Sequence, residues 1–164
     1  MIYNDILIHV KTIDQGRELS SEIDILINSL FKTENNAFEK ALDSVTVLTS
    51  QMLISALGGL KNNINWDKQM ITEYLTGLKE ELQKLKTLKL SLAFEPSKDL
   101  IDHLFIWIIK NLGYGIILDI QKDKTILGGA IIEFEGKYED LSLKKALDEV
   151  FGTKRMEITD LLNS

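Results

Sequence analysis

Residues 125–147 read TILGGAIIEFEGKYEDLSLKKAL, with two adjacent glycines before an apolar run and a Gly-Lys pair after it. A phosphate-cradling loop and a strand shaped by glycine make different demands on this stretch. A P-loop needs G-x-x-x-x-G-K-[ST], so that its backbone N–H groups face the phosphates. Counting back from Gly136-Lys137, the first glycine falls on Ile131, and the residue after the lysine is Tyr138. The pattern fails at both ends. GYGIIL (113–118) fails as a dinucleotide fingerprint, because Leu118 replaces the third glycine and a strand follows where a helix is required. Gly128 and Gly129 are therefore read as strand glycines, which mark a bulge or a close backbone approach. The stretch is a strand, a turn at Gly136, and a helix from about Ser142 to Phe151.

Working outward, LKLSLAF (88–94) alternates Leu88, Leu90, Leu92 and Phe94 on one side of an extended chain. EPSKD then starts a helix with Ser97 as N-cap. Its apolar stripe is Leu100, Ile101, Leu104, Phe105, Ile108, Ile109 and Leu112, and Gly113 and Gly115 close it. IILDI (116–120) is a short strand. The order from residue 87 is β-α-β-β-α. Its first unit is a right-handed parallel crossover, and its second and third strands, closely joined, are expected to be antiparallel.

Before Pro96, the only proline, the period is helical. Leu19, Ile23, Leu26, Ile27, Leu30 and Phe31 recur at steps of three and four. A second helix carries Phe38, Ala41, Leu42, Val45 and Leu48, continues through QMLISAL and stops at Gly58-Gly59, where glycine is costly in a helix. A third starts at Asn65 and carries Trp66, Met70, Ile71, Tyr74, Leu75, Leu78, Leu82 and Leu85, with Glu80 and Lys84 as an i,i+4 pair. DILIHV (5–10) reads equally as strand or helix. The reading is an α+β chain of two domains, a helical bundle over 1–86 and a β-α-β-β-α domain over 87–164.

The bulk numbers narrow the function. The 164 residues are 45% hydrophobic and 27% charged, the composition of a folded chain, and the net charge is −6. The acidic excess is shared by both halves, which argues against nucleic acid as a partner. The chain has no cysteine, which excludes disulfides and thiolate metal sites. The opening MIYNDILIHV shows no signal peptide, and LFIWII (104–109) is too short to span a bilayer.

The chemistry sought in the side chains is sparse. His9 and His103 are the two histidines; neither has a second histidine at i+4, so no zincin pattern exists, and no G-x-S-x-G elbow occurs. His103 reads as a boundary residue at a helix start. Glu133, Glu135, Glu139 and Asp140 cluster, and Glu133 and Glu135 share one strand face, as an acid/base pair would; a solvated edge whose charge discourages aggregation is the simpler account. Lys84, Lys86 and Lys89, with Lys144 and Lys145, are too few for nucleic-acid binding. No catalytic residue, cofactor or metal ligand is assigned.

Over about Leu88 to Phe151 the chain resembles the delta subunit of F-type ATP synthases, the bacterial counterpart of the mitochondrial oligomycin-sensitivity-conferring protein. The likeness lies in LSLAFEPS, in IIKNLG closing a helix, in DKTILGG (123–129) for the family's Asp-Pro-x-Leu-Ile-Gly-Gly, and in IIEFEGKYEDLSLKKAL with its turn and Asp-x-Ser. Lys124 stands where the family has proline. The motif residues are Asp123, Gly128, Gly129, Gly136, Asp140 and Ser142, in structural roles, with Ser142 the simplest N-cap for the last helix. The helical half, with three or four helices counted, is shorter than the family's six-helix bundle.

The resemblance implies a non-catalytic stator subunit without cofactors. Its helical domain would hold the catalytic α/β hexamer through the N-terminal segment of an α subunit, and its second domain the b subunits of the peripheral stalk. It implies indirect attachment to the cytoplasmic face of a bacterial cell membrane. A monomer is expected when free, since every element has an internal face to bury against. Two alternatives stand beside the stator reading. One is a peripheral-stalk subunit of an archaeal or vacuolar-type ATPase, disfavoured by a broken, apolar-striped helical half. The other is a small α+β ligand-binding domain or enzyme using Glu133 and Glu135.

Overall fold

A computed structural model describes residues 3–34, 36–61 and 68–151, with 56–61 described as backbone only. The chain divides into two compact units, Met1–Lys86 with Gly113–Gly115, and Thr87–Leu112 with Ile116–Ser164. The architecture of the described residues is α+β: five helices, then a four-stranded sheet with a helix in its crossover and a further helix over 143–151.

The helical unit contains α1 (Asn4–Leu7), α2 (Ile13–Leu30), α3 (Ala37–Ser44), α4 (Val47–Lys61) and α5 (Lys68–Gln83). The ambiguous DILIHV is thus helical at its start. Helix α2 opens with a capping box: Thr12 Oγ1 accepts from the Gln15 N–H at 3.3 Å, and Gln15 Oε1 accepts from the Thr12 N–H at 3.3 Å. The predicted stripe of α2 buries Leu19, Ile23, Leu26 and Leu30, whereas Phe31, one residue past the helix, is 69% exposed. Helix α5 presents Ile71, Leu75, Leu78 and Leu82, and α2 packs against it. Ile23, Leu26, Leu75 and Leu78 have essentially no exposed surface. Each such side chain contributes on the order of 1.5–3 kcal/mol by leaving water. Lys79 adds an ion pair to Asp24 at 2.6 Å across the same two helices.

Three expectations for this half are corrected. The second predicted helix is two helices. Val45 is extended (φ −86, ψ 170), and the Glu22 side chain of α2 accepts the Thr46 N–H at 2.6 Å. Thr46 Oγ1 in turn accepts from Thr49 N–H at 3.4 Å, capping α4. The apolar period runs unbroken through the junction, so periodicity alone could not reveal the break. Next, α4 continues through Gly58-Gly59 to Lys61; glycine lowers helix stability but does not forbid a helix. Finally, Lys84 pairs with Glu81 at 2.7 Å rather than with Glu80. That hydrogen bond is the main reason its ammonium is held above the ordinary lysine value. The proposed cap Asn65 and Trp66 lie outside the described residues.

The second unit contains β1 (Lys86–Leu92), α6 (Lys98–Asn111), β2 (Ile116–Lys122), β3 (Gly129–Phe134) and β4 (Lys137–Ser142). The sheet order is β2-β1-β3-β4. At one end of β1 the Lys86 N–H donates to Gly115 O, and at the other the Asp123 N–H donates to Leu92 O, both at 2.8 Å. Strands β1 and β2 therefore run in the same direction, as a crossover through α6 requires. Helix α6 is capped by Ser97, whose Oγ accepts from the Leu100 N–H at 3.3 Å. It packs on Leu88, Leu90, Leu92, Ile116 and Leu118 through Ile108, with Ile101 and Leu104 alongside. Phe94, beyond the strand, is 48% exposed instead of joining this face.

Strand β3 runs opposite to β2, as expected from the sequence, but the two are not adjacent as their tight connection suggested. Instead β3 pairs antiparallel with β1, as Leu90 opposite Ile132 and Leu92 opposite Ala130. The connection 123–128 passes the end of β1, and each strand joins a different edge of it. KYEDLS (137–142), read from the sequence only as the stretch between turn and helix, is a fourth strand paired antiparallel with β3 from Gly129–Ser142 to Phe134–Lys137. Residues 143–151 are helical and follow β4 directly.

Candidate functional site

The glycine-rich stretch at Gly128-Gly129 is built for backbone contact. Gly129 has φ +84, and a Cβ placed on it would overlap the carbonyl oxygen of Leu141 and stand 3.0 Å from the Ser142 Cα. Only glycine lets β3 approach β4 here without strain. Next to it, Gly128 O accepts from the Leu143 N–H at 2.8 Å. Asp140 Oδ1 accepts from the Ser142 N–H at 2.8 Å, and Ser142 Oγ accepts from the Lys145 N–H at 3.3 Å, an N-cap for the helix over 143–151. The Ser142 hydroxyl, then its N–H, hold the Asp140 carboxyl below its ordinary value. Gly128, Gly129, Asp140 and Ser142 thus meet at one place, where β3 begins, β4 ends and a helix starts.

The other two motif residues lie elsewhere. Gly136 (φ +77) follows Glu135 (φ +49) in the two-residue turn between β3 and β4, the conformation of a type I′ hairpin. Asp123 closes a turn at the exit of β2, its Oδ1 accepting from the Thr125 hydroxyl at 2.6 Å and the Thr125 N–H at 2.8 Å. Those two bonds, the hydroxyl first, lower its pKa. Every hydrogen bond described for these residues is to neighbouring backbone or side chains, which is the chemistry of a scaffold.

The carboxylates considered as an acid/base pair are separated by local structure. Glu133 lies in β3 and faces Lys89 across the sheet at 3.3 Å, both about half exposed. Glu135 sits in the turn, outside the strand, so the two do not share a strand face. His103 is exposed, its ring Nδ1 donating to Asp99 O at 2.7 Å. Among the described residues no group of three or more His, Asp or Glu is arranged to hold a metal ion, and no helix is long and apolar enough to cross a membrane.

What the surface offers is apolar area and grooves. In the helical unit a groove of about 420 Å³ is walled by Leu30, Phe38, Leu42, Ile54 and Ile71, with Lys32, Glu34 and Lys68 at its rim. A second, about 220 Å³, has Ile6, Val10, Leu19, Leu48 and Met52 as walls, with Glu22 and Thr46 also lining it. In the second unit Ile106 and Trp107 are more than half exposed on α6, and Tyr114, which belongs to the first unit, is 74% exposed. The helix over 143–151 shows Leu143, Leu147, Val150 and Phe151 at exposures of 48%, 38%, 53% and 64%. Their spacing puts them along one side of that helix. An apolar helix stripe is one of the features by which partner segments are recognised. Trp107 is exposed because the opposite side of α6, with Ile101, Leu104 and Ile108, meets the sheet.

Comparison with known proteins agrees with the scaffold character. A family model described as ATP synthase delta (OSCP) subunit matches residues 32–151. The match extends the likeness from the second unit back into α3, α4 and α5. No curated protein matches the chain. Among solved structures, a chain of the Toxoplasma gondii mitochondrial ATP synthase hexamer, determined by cryo-EM, is 15% identical with a TM-score of 0.37, over 87% of this chain and 97% of that one. The last likeness is too distant to bear on function. The family match spans most of the chain and both of its units, and the chain belongs to the ATP synthase delta (OSCP) subunit family, the stator subunits of the ATP synthase peripheral stalk.

Proposed function

We propose that this subunit links the catalytic α/β hexamer of a proton-translocating F-type ATP synthase to the membrane-anchored b subunits, and that it does so without catalysis of its own. The observation that carries the reading is the family match across both units. In this reading residues 1–86 and 87–164 act as two domains. The helical one takes the N-terminal segment of an α subunit as an amphipathic helix in an apolar groove, the recognition mode its two grooves suit. The other takes the b subunits on exposed apolar helix faces. Two modest contacts on one chain hold more firmly than either alone, which a stator under torque requires. The motif residues Asp123, Gly128, Gly129, Gly136, Asp140 and Ser142 shape the second domain and touch no ligand. The free subunit is a monomer, and its place is the cytoplasmic face of a bacterial membrane, held there through the complex.

The test is affinity purification of tagged subunit from mildly solubilised membranes of its own source, with co-purifying chains identified by mass. Recovery of α, β and b chains is the expected result. Folded subunit recovered without hexamer and stalk chains would overturn the reading.

A further inference from the structure

We propose that residues 3–10 are a displaceable strap, which closes over an apolar seat on the helical unit and opens without unfolding it. The seat is built around a glycine in the interior of α5. A Cβ on Gly77 would overlap the Tyr3 phenol oxygen and lie 3.1 Å from Tyr3 Cζ. The Tyr3 ring also packs on Tyr74, one turn earlier, with centroids 5.1 Å apart. Glycine weakens a helix interior, and here it leaves a notch filled by one aromatic side chain. Ile6 and Val10 complete the contact, 4% and 5% exposed. Val10 lies beside Gly16 of α2, and α1 packs against α4. Tyr3, Ile6 and Val10 recur at steps of three and four, one face of a short amphipathic segment.

Three features make the strap separable from what it covers. The backbone hydrogen bonds of Ile6, Leu7, Ile8, His9 and Val10 are to Tyr3, Asn4, Ile6 and Leu7, all within the segment, so lifting it breaks none of them. Its far end is anchored, because Gln15 Oε1 accepts from the Lys11 N–H at 2.8 Å and from Thr12 N–H in the cap of α2; this is the hinge. Beneath it the Tyr74 hydroxyl is buried with no hydrogen-bond partner among the described residues, and opening restores it to water, offsetting part of the apolar area re-exposed. A four-residue helix such as α1 has no stability of its own. The opened seat is a notch for an aromatic side chain beside apolar surface, and it fits a partner segment carrying the same aromatic-aliphatic-aliphatic pattern. The inference does not rest on the stator reading.

Hydrogen exchange on the full chain tests it directly. Amides of Ile6 to Val10 are expected to exchange at least about 100-fold faster than those of Leu75 and Leu78, as separately opening segments do. Exchange of both sets at one common rate would show a single cooperative core and overturn the strap. Gly77→Ala separates the two readings again. It expels the Tyr3 ring while giving α5 a better helix former, so strap exchange rises and α5 exchange stays as slow or slows further; faster exchange in α5 would count against the proposal. The seat is probed with a fluorescent peptide of residues 1–11. Tyr3→Asp protein should bind it at least about tenfold more tightly than the unaltered chain, whose seat is already occupied. Equal binding would remove the seat.

Discussion

Gly129 shows at the residue scale how a glycine can be required without touching a ligand. Its positive φ and the Leu141 carbonyl against its Cα exclude any side chain. Gly129→Ala is expected to destabilise the chain by about 2–3 kcal/mol in urea unfolding. Gly136→Asn, in a turn that asparagine tolerates, should stay within about 0.5 kcal/mol. Equal effects would refute the steric account. The motif carboxylates make a pH prediction of definite sign. Asp123 and Asp140 both titrate below their ordinary value of 3.8. Their contribution is therefore complete above that value, and it is lost as the pH falls through the lowered folded-state values. The urea midpoint should drop in that range. Asp140→Asn, which keeps an oxygen for the Ser142 N–H, should flatten the drop; an unchanged pH profile would mean that Asp140 contributes nothing to it.

At the element scale the break between α3 and α4 is the informative case. Glu22, 7% exposed, lies on α2 in the position next to the core stripe, where the helical period assigns no role to a carboxylate. Folding brings it to Thr46, where its two oxygens take the backbone N–H and the hydroxyl. Glu22→Ala is expected to cost about 1–2 kcal/mol, because the Thr46 N–H and hydroxyl at the start of α4 lose their acceptor. Glu22→Gln, which retains an acceptor, should cost less. Denaturation followed by far-UV circular dichroism measures both, and an alanine variant as stable as the parent would sink the acceptor role. The same scale explains why β4 escaped the sequence reading. KYEDLS has weak strand propensity and lies at the sheet edge, so its pairing with β3 is dictated by the turn at Glu135-Gly136 and by the register that this turn sets.

At the scale of the whole molecule, two units with separate cores present separate apolar surfaces. Leu147→Asp with Phe151→Asp charges two exposed positions of the helix over 143–151, so the fold should tolerate the change. In the purification experiment this variant is expected to lose most of its b chains while retaining α. Loss of α alone, with b retained, would reverse the assignment of partners to units. The scaffold reading was legible in the sequence because it rests on residue order and spacing, as in DKTILGG and the Asp140-x-Ser142 step. The apolar surfaces were not, since an exposed Trp107 and a buried Phe105 look alike in a hydrophobic run.

The sequence by itself determined the helical stripes of α2 and α5, the strand-helix-strand crossover of the second unit, the caps at Ser97 and Ser142, and the family. Each follows from local periodicity, from side-chain hydrogen bonds to nearby backbone, or from motif spacing. Tertiary structure decided the rest: that β1 lies between β2 and β3, that KYEDLS forms an edge strand, that Glu22 breaks a continuous apolar run into two helices, and that Tyr3 fills the notch at Gly77. These depend on which surfaces meet across long stretches of chain, and contacts of that kind have no period to read.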